Sequence, residues 1–204
     1  MLDTLIAGLL RGNVYALGAV GISLIFGVMN VVNFAQFSFF ALGGMLAWFF
    51  VVQLNLSFWL ALPLVLVICG ALGLITNIAV VRPLAKFLPL AAMLSTYAVS
   101  QILDNASQAA FGAQDQAFPT VLPTSNLHIG AMRFGTSDLV MLGITLVVMV
   151  TMSLFLKYTK IGHGIRATSQ DQEAALQVGI PVGRVQNISF VLSLIHISEP
   201  TRPY

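Results

Sequence analysis

Between Arg11 and Arg82 the chain carries no Asp, Glu, Lys or Arg: residues 12 to 81, 70 in all, are uncharged. A helix crosses the hydrocarbon core of a bilayer with about 20 mostly apolar residues. The uncharged run therefore has room for three crossings, and a water-soluble fold would have no charged surface to draw from it. The whole chain follows suit, with 58% hydrophobic and 8% charged residues among 204, where a soluble domain carries roughly a quarter charged. A net charge of +2 is too small to point to nucleic acid as a partner. The lone Cys69 sits inside an apolar run, cannot form an internal disulfide, and reads as a small core residue. The first apolar stretch is longer than a signal h-region and no clear small-x-small site follows a basic start, so no cleavable leader is expected.

Five apolar segments are legible: about Thr4 to Val28, Phe37 to Val52, Phe58 to Val81, Leu88 to Ala109 and Leu139 to Leu156. A sixth begins near Val185 and is cut short. Backbone groups in lipid need internal partners, and a barrel strand would alternate polar and apolar residues; continuous apolar runs argue for helices. The expected fold is all-α: a polytopic transmembrane helix bundle with about five complete membrane segments and the start of another. After Ser193 the chain reads Leu194-Ile195-His196-Ile197-Ser198-Glu199-Pro200-Thr201-Arg202-Pro203-Tyr204. Glu199 and two prolines interrupt what should be an apolar span. The tail, 194–204, looks like translated adapter read-through; the alternative is a real polar terminus.

Charge sets the expected sidedness. Arg82 and Lys86 flank Pro83; Lys157, Lys160, Arg166 and Arg184 lie in or beside the link after the fifth segment. The segment from about Phe111 to Ser137 has Asp115 and Arg133 and no basic excess. The positive-inside rule places the two basic links in the cytoplasm and the 111–137 segment outside, and two crossings between the basic links agree. Three simple crossings before Arg82 put the N-terminus outside; a re-entrant stretch after Asn30 would reverse it.

Several polar groups interrupt the apolar pattern. Gly8, Gly12 and Ala16 share a face of the first helix, a spacing that lets membrane helices approach closely. Asn30, Asn33 and Gln36 place three amides between two apolar runs, where buried amides need partners or line a polar cavity. Asn33 and Gln36 share a face if the stretch is helical. Two readings stand: a broken helix beside a translocation path, or a plain turn. In the fourth segment Thr96, Ser100 and Gln101 are expected to face one way, with Asp104 and Asn105 continuing that face. That stripe would look inward, lining a pathway or bonding to neighbouring helices. Between Lys157 and Val185, Ser169 or Asp171 suits the cap of a short helix from about Gln172 to Val178, ending at Gly179. A short capped helix below the membrane is a good knob for docking into another protein's groove.

The block Glu173-Ala174-Ala175 with Gly179 and Ile180 resembles the EAA coupling loop of bacterial importer permeases. The string Gly162 … Arg166-Ala167 … Asp171 … Ala174-Ala175 … Gly179-Ile180 … Arg184 resembles the version found in the branched-chain amino-acid ABC transporter permease family. So do Gly8 … Tyr15-Ala16-Leu17 … Gly21 … Gly27 … Asn33-Phe34-Ala35, and Arg82-Pro83-Leu84. Departures are Gln36-Phe37 where the family has His-Gly, and Gly162-His163-Gly164 where it has Gly-Arg-Ala. The resemblance runs from about Leu5 to Ser193. It implies a transmembrane permease domain over 1–193, the N-terminal part of a longer permease, with a cytoplasmic coupling loop at 157–185.

The resemblance implies a permease subunit of an ATP-driven importer in a bacterial inner membrane, carrying leucine, isoleucine, valine or related small amino acids and amides. Its partners would be cytoplasmic ATP-binding subunits, a second permease subunit, a periplasmic or extracellular solute-binding protein and membrane lipid. Asn30, Asn33, Gln36, Thr96, Ser100 and Gln101 would line the pathway. Arg166, Asp171, Glu173, Ala174, Ala175, Gly179 and Ile180 would couple to the ATPase. The chain has no phosphate-loop motif, no metal spacing among His128, His163 and His196, and no credible nucleophile arrangement. No catalysis and no cofactor are therefore expected of it. The rival functions are a stand-alone channel or secondary transporter, for which Asp104 is the only candidate coupling group, and a membrane scaffold.

Cysteines introduced at Gln114 and Gln170 are expected to label from opposite sides of the membrane. Reaction of both with an impermeant thiol reagent added outside would reverse this topology.

Overall fold

Each of the six apolar segments is helical in the computed structural model, which describes residues 2–112, 114, 126–129 and 132–197. The helices are α1 (Leu2–Met29), α2 (Gln36–Trp48), α3 (Phe58–Thr76), α4 (Arg82–Ala85), α5 (Pro89–Phe111), α6 (Thr136–Tyr158), α7 (Lys160–Gln170), α8 (Gln172–Gln177) and α9 (Val182–Ile197). One antiparallel hairpin, β1 (Asn126–Ile129) on β2 (Met132–Gly135), lies between α5 and α6 with Asn126 opposite Gly135. Among the described residues the fold is otherwise an all-α bundle. Leu194 to Ile197 continue α9, and residues 198–204 of the suspected tail lie outside the described residues.

Among the described residues, Gln36–Gln53 and Phe58–Ala85 are each long and apolar enough to cross a membrane. They reach that length through π turns at Phe49–Gln53 and Asn77–Val81. The second has a local cause. Proline lacks an amide hydrogen and its ring crowds the carbonyl four residues back. Just ahead of Pro83 the helix widens, and the Arg82 amide bonds to the carbonyl of Asn77.

Large apolar side chains cover much of the bundle's exterior, while several polar groups lie buried within its apolar core. Trp59, 80% exposed, Leu60, Val67, Ile75, Leu94, Ile102 and Val147 lie on the exterior. Asn33, Gln36, Asn77, Thr96, Thr145, Ser189 and Ser193 are buried. In water this arrangement would leave a large apolar surface uncovered; in lipid an apolar exterior is what the surroundings require. The protein is a multi-pass membrane protein.

α9 packs against α1, α2, α3 and α7, with Phe190 and Leu194 fully buried. A methyl added at Gly73 of α3 would overlap Leu194, so the two helices meet at a residue without a side chain. The sequence suggested Gly8, Gly12 and Ala16 of α1 for such an approach. The structure corrects this: Gly8 and Gly12 are exposed and face open space. α1 reaches the core through its other half, where Leu24, Ile25 and Val28 are buried.

The stretch from Lys157 to Val185 also holds more helix than expected. Besides the short helix at Gln172, the structure has α7, which leaves α6 at 81°. Thr159 caps it, its Oγ1 accepting from the Gly162 amide at 2.9 Å. A Cβ at Gly162 would lie 2.5 Å from the Phe155 carbonyl oxygen and 2.6 Å from Leu156 Cα. The bend thus depends on glycine at that position. Gly162→Val is expected to force it open, at about 1–3 kcal/mol of stability. Spin labels on the exposed Ser153 and Gln170 will then move apart; an unchanged label distance would remove Gly162 from this role.

Candidate functional site

The amides of the uncharged run gather at a break between α1 and α2. α1 ends at Met29, and Asn30 takes a left-handed backbone with φ 53, a conformation that Asn tolerates better than most residues. The following residues cannot use helical hydrogen bonds, so side chains supply them. Asn33 Oδ1 accepts from the Ala35 amide at 3.1 Å, and Thr96 Oγ1 accepts from the Phe34 amide at 3.0 Å. Asn33 Nδ2 donates to Gln36 Oε1 at 3.2 Å, and Gln36 Nε2 donates to the Ser193 carbonyl at 3.2 Å. Asn33 is 2% exposed; Gln36 and Thr96 are fully buried. The joint therefore ties α1, α2, α5 and α9 together.

Its depth follows from its partners. Thr96 is 7 residues past the start of α5 at Pro89, and Ser193 is 11 past the start of α9 at Val182. At 1.5 Å per residue these positions lie about 10 and about 16 Å inside the helix ends. The start of α9 lies beside α4, the short helix that precedes α5, because a methyl at Gly183 would overlap the Arg82 guanidinium. This contact also brings the two basic links to one end of the bundle. The α1–α2 connection thus starts at the exposed Asn30 and enters the bundle, where Asn33 and Gln36 are buried.

Of the residues expected to line a pathway, the structure bonds Asn33 to Gln36, bonds Thr96 to the intervening Phe34 amide, and places Ser100, 5% exposed, one turn further along the same face of α5. Asn30 and Gln101 are exposed. The expected single stripe on α5 is split: Thr96, Ser100 and Ser107 turn inward, whereas Gln101 and Asn105 share an exposed face with Leu94 and Tyr97. One hundred degrees of rotation per residue separates Ser100 from Gln101. A second polar link went unread in the sequence: Asn77 Nδ2 donates to Asn187 Oδ1 at 2.9 Å, joining the π turn to α9. Its signal was the single amide near the end of the third apolar run.

At the end where Arg82 meets Gly183 stands the short helix α8. Asp171, not Ser169, is its N-cap, with Oδ1 accepting from the amides of Glu173 at 2.9 Å and Ala174 at 3.0 Å. Ser169 Oγ instead donates to the Arg166 carbonyl. At the other end Gly179 has φ 82, its amide bonds to the Leu176 carbonyl at 3.0 Å, and the Ile180 amide to that of Ala175 at 2.9 Å. This pair of bonds is a Schellman closure. Ala175 is buried; Glu173, Ala174 and Gly179 are exposed, as is Arg166 on α7.

A helix bundle with an apolar exterior, an apolar core crossed by buried polar joints, a helix break and a capped helix at one end defines a polytopic membrane protein. The family model "Branched-chain amino acid transport system / permease component" matches residues 4–195, and the chain belongs to that family. It is similar to the high-affinity branched-chain amino acid transport system permease protein LivH of Salmonella typhimurium, at 24% identity over 94% of this chain and 66% of the relative. The corresponding protein BraD of Pseudomonas aeruginosa is 25% identical over the same shares. A probable branched-chain amino acid transport permease protein LivH of Methanocaldococcus jannaschii is 26% identical over 91% of this chain and 60% of the relative. The chain thus spans 66% of the length of the first two relatives and less of the third. No solved structure matches it.

Thr96→Val keeps the shape of the side chain and removes the acceptor for the Phe34 amide. It is expected to destabilise the detergent-purified protein by about 1–3 kcal/mol in denaturant unfolding. Thr96→Ser, which retains the hydroxyl, will cost less than half as much. Equal stability of Thr96→Val and parent would show that this hydroxyl does not hold the break.

Proposed function

We propose that this chain is the membrane-spanning part of a permease subunit of an ATP-driven importer for branched-chain amino acids or related small amino acids and amides. It acts in the bacterial inner, cytoplasmic membrane, beside a second permease subunit. ATP hydrolysis belongs to separate cytoplasmic subunits, and cargo arrives on an external solute-binding protein. The reading is supported by the family match across residues 4–195 and by the printed functions of the similar permeases.

The observation that carries the docking part is α8. It is a single turn and a half of helix, closed at its start by Asp171 and at its end by Gly179, with Glu173 and Ala174 turned to the outside. A helix that short has no stability of its own. The caps and the buried Ala175 hold it in one shape, and a fixed shape is what a recurring partner surface requires. Glu173, Ala174, Gly179 and Arg166 would meet the ATPase, while Asp171, Ala175 and Ile180 shape the knob. For the pathway, the break at residues 30–35 is the place where backbone rearranges at the least loss of helical bonds. Asn30, Asn33, Gln36, Thr96, Ser100 and Gln101 would change neighbours as the bundle alternates its access.

Gly179→Val forces a β-branched residue into positive φ, and Ala174→Trp puts bulk on the exposed face. In the full-length permease both are expected to insert normally, to release the ATPase during co-purification, and to lose most uptake. If both variants hold the ATPase and transport at the parental rate, α8 is not the docking element.

A further inference from the structure

α8 is fastened to the bundle at a point that no local sequence pattern announces. Gln172, its first residue, donates from Nε2 to the main-chain carbonyl of Val28 at 2.7 Å. That carbonyl lies in the last turn of α1. The residue four positions on, Val32, is not helical, so the carbonyl has no partner within its own helix. Beside it, a Cβ on Gly27 would touch that of Ser169 at 3.8 Å, so the corner between α7 and α8 sits directly on this turn.

Two residues beyond Val28, the chain turns at Asn30 into the polar joint. The exposed helix is thus linked to the bundle interior by the Gln172–Val28 bond, the short main-chain stretch from Val28 to Asn33, and the bonds from Asn33 to Gln36 and from Gln36 to the Ser193 carbonyl of α9. The Asp171 cap makes the first residue of α8 move with the helix, because its carboxylate holds the two amides that follow Gln172. The receiving end is non-helical backbone with one residue already in the left-handed region, the kind of segment that absorbs large dihedral changes.

We propose that Gln172 is a positioning residue for transport: its side-chain amide transmits displacement of α8 to the α1–α2 break. The proposal rests on the reading of α8 as the ATPase-docking element. Gln172 itself is not the docking contact; it is half-buried and turned toward α1.

Two substitutions separate transmission from simple support of α8. Gln172→Glu has the same length and cannot donate, and its carboxylate repels the Val28 carbonyl oxygen. An acidic residue in the first turn is nonetheless favourable to the helix itself. Gln172→Lys restores a donor of sufficient reach while placing the less favourable charge there. A merely structural role predicts Glu at least as good as Gln, and Lys worse; transmission predicts the opposite order.

The measurement uses the full-length permease assembled with its ATPase and binding protein in proteoliposomes, with tritiated leucine as the probe. Gln172→Glu is expected to lower the maximal uptake rate on the order of tenfold, with KM unchanged, the ATPase still bound and basal ATP hydrolysis intact. Gln172→Lys will keep most of the parental rate. Parental transport by Gln172→Glu, equal loss in both variants, or release of the ATPase from either would overturn the proposal. Failure of the docking reading would show elsewhere, in Gly179→Val and Ala174→Trp retaining the ATPase.

Discussion

Inside a bilayer no water is available to a backbone or amide group that lacks a partner, and each such group left alone costs several kcal/mol. Helices meet this demand along their length, so the problem concentrates wherever a helix stops. The break between α1 and α2 is the sharpest case. The Phe34 and Ala35 amides are answered by the Thr96 and Asn33 side chains, and Gln36 carries the network on to α9. Phe34-Ala35-Gln36 adopts its path because these acceptors stand where they do. Much of the bundle's internal register follows, since the same bonds fix α5 and α9 relative to α1 and α2.

Hydrogen bonds in membranes are modest individually, averaging about 0.6 kcal/mol between helices. The joint therefore orients the helices more than it glues them. Close contact comes from van der Waals packing around α9, where Phe190 and Leu194 fill the space opened by Gly73 and its surroundings. A core of this kind tolerates little change in volume. Packing is already interrupted at the break at residues 30–35 and at the 81° corner between α6 and α7, so rearrangement of the chain meets least resistance there.

What could be read from the sequence depended on how local its cause is. The helices were legible because apolar runs of sufficient length leave no alternative in lipid. The cap at Asp171 and the positive φ of Gly179 were legible because both are determined within a few residues. α7 was not: Gly162 and Gly164 look like helix breakers in isolation, and the reason for Gly162, the backbone of Phe155 and Leu156, appears only once the chain has turned. The polar stripe of α5 was drawn too wide, since Gln101 satisfies the pattern by composition but points away from Ser100. The Ser193 carbonyl that Gln36 reaches and the Val28 carbonyl that Gln172 reaches lie 157 and 144 residues distant, and a single sequence holds no mark of either bond.

The π turn at Asn77–Val81 has an effect beyond accommodating Pro83. An i→i+5 turn encloses one residue more than an α-helical one, so everything after it is rotated by about 100° and displaced by about 1.5 Å relative to an uninterrupted helix. The turn is a phase slip within a single membrane-crossing rod. Before it, the helix sets which side chains meet lipid and which meet α9. After it, the helix sets where Arg82 lands on Gly183. The slip uncouples those two requirements, so that the lipid-facing stripe and the charged end of one helix are each placed to suit different neighbours.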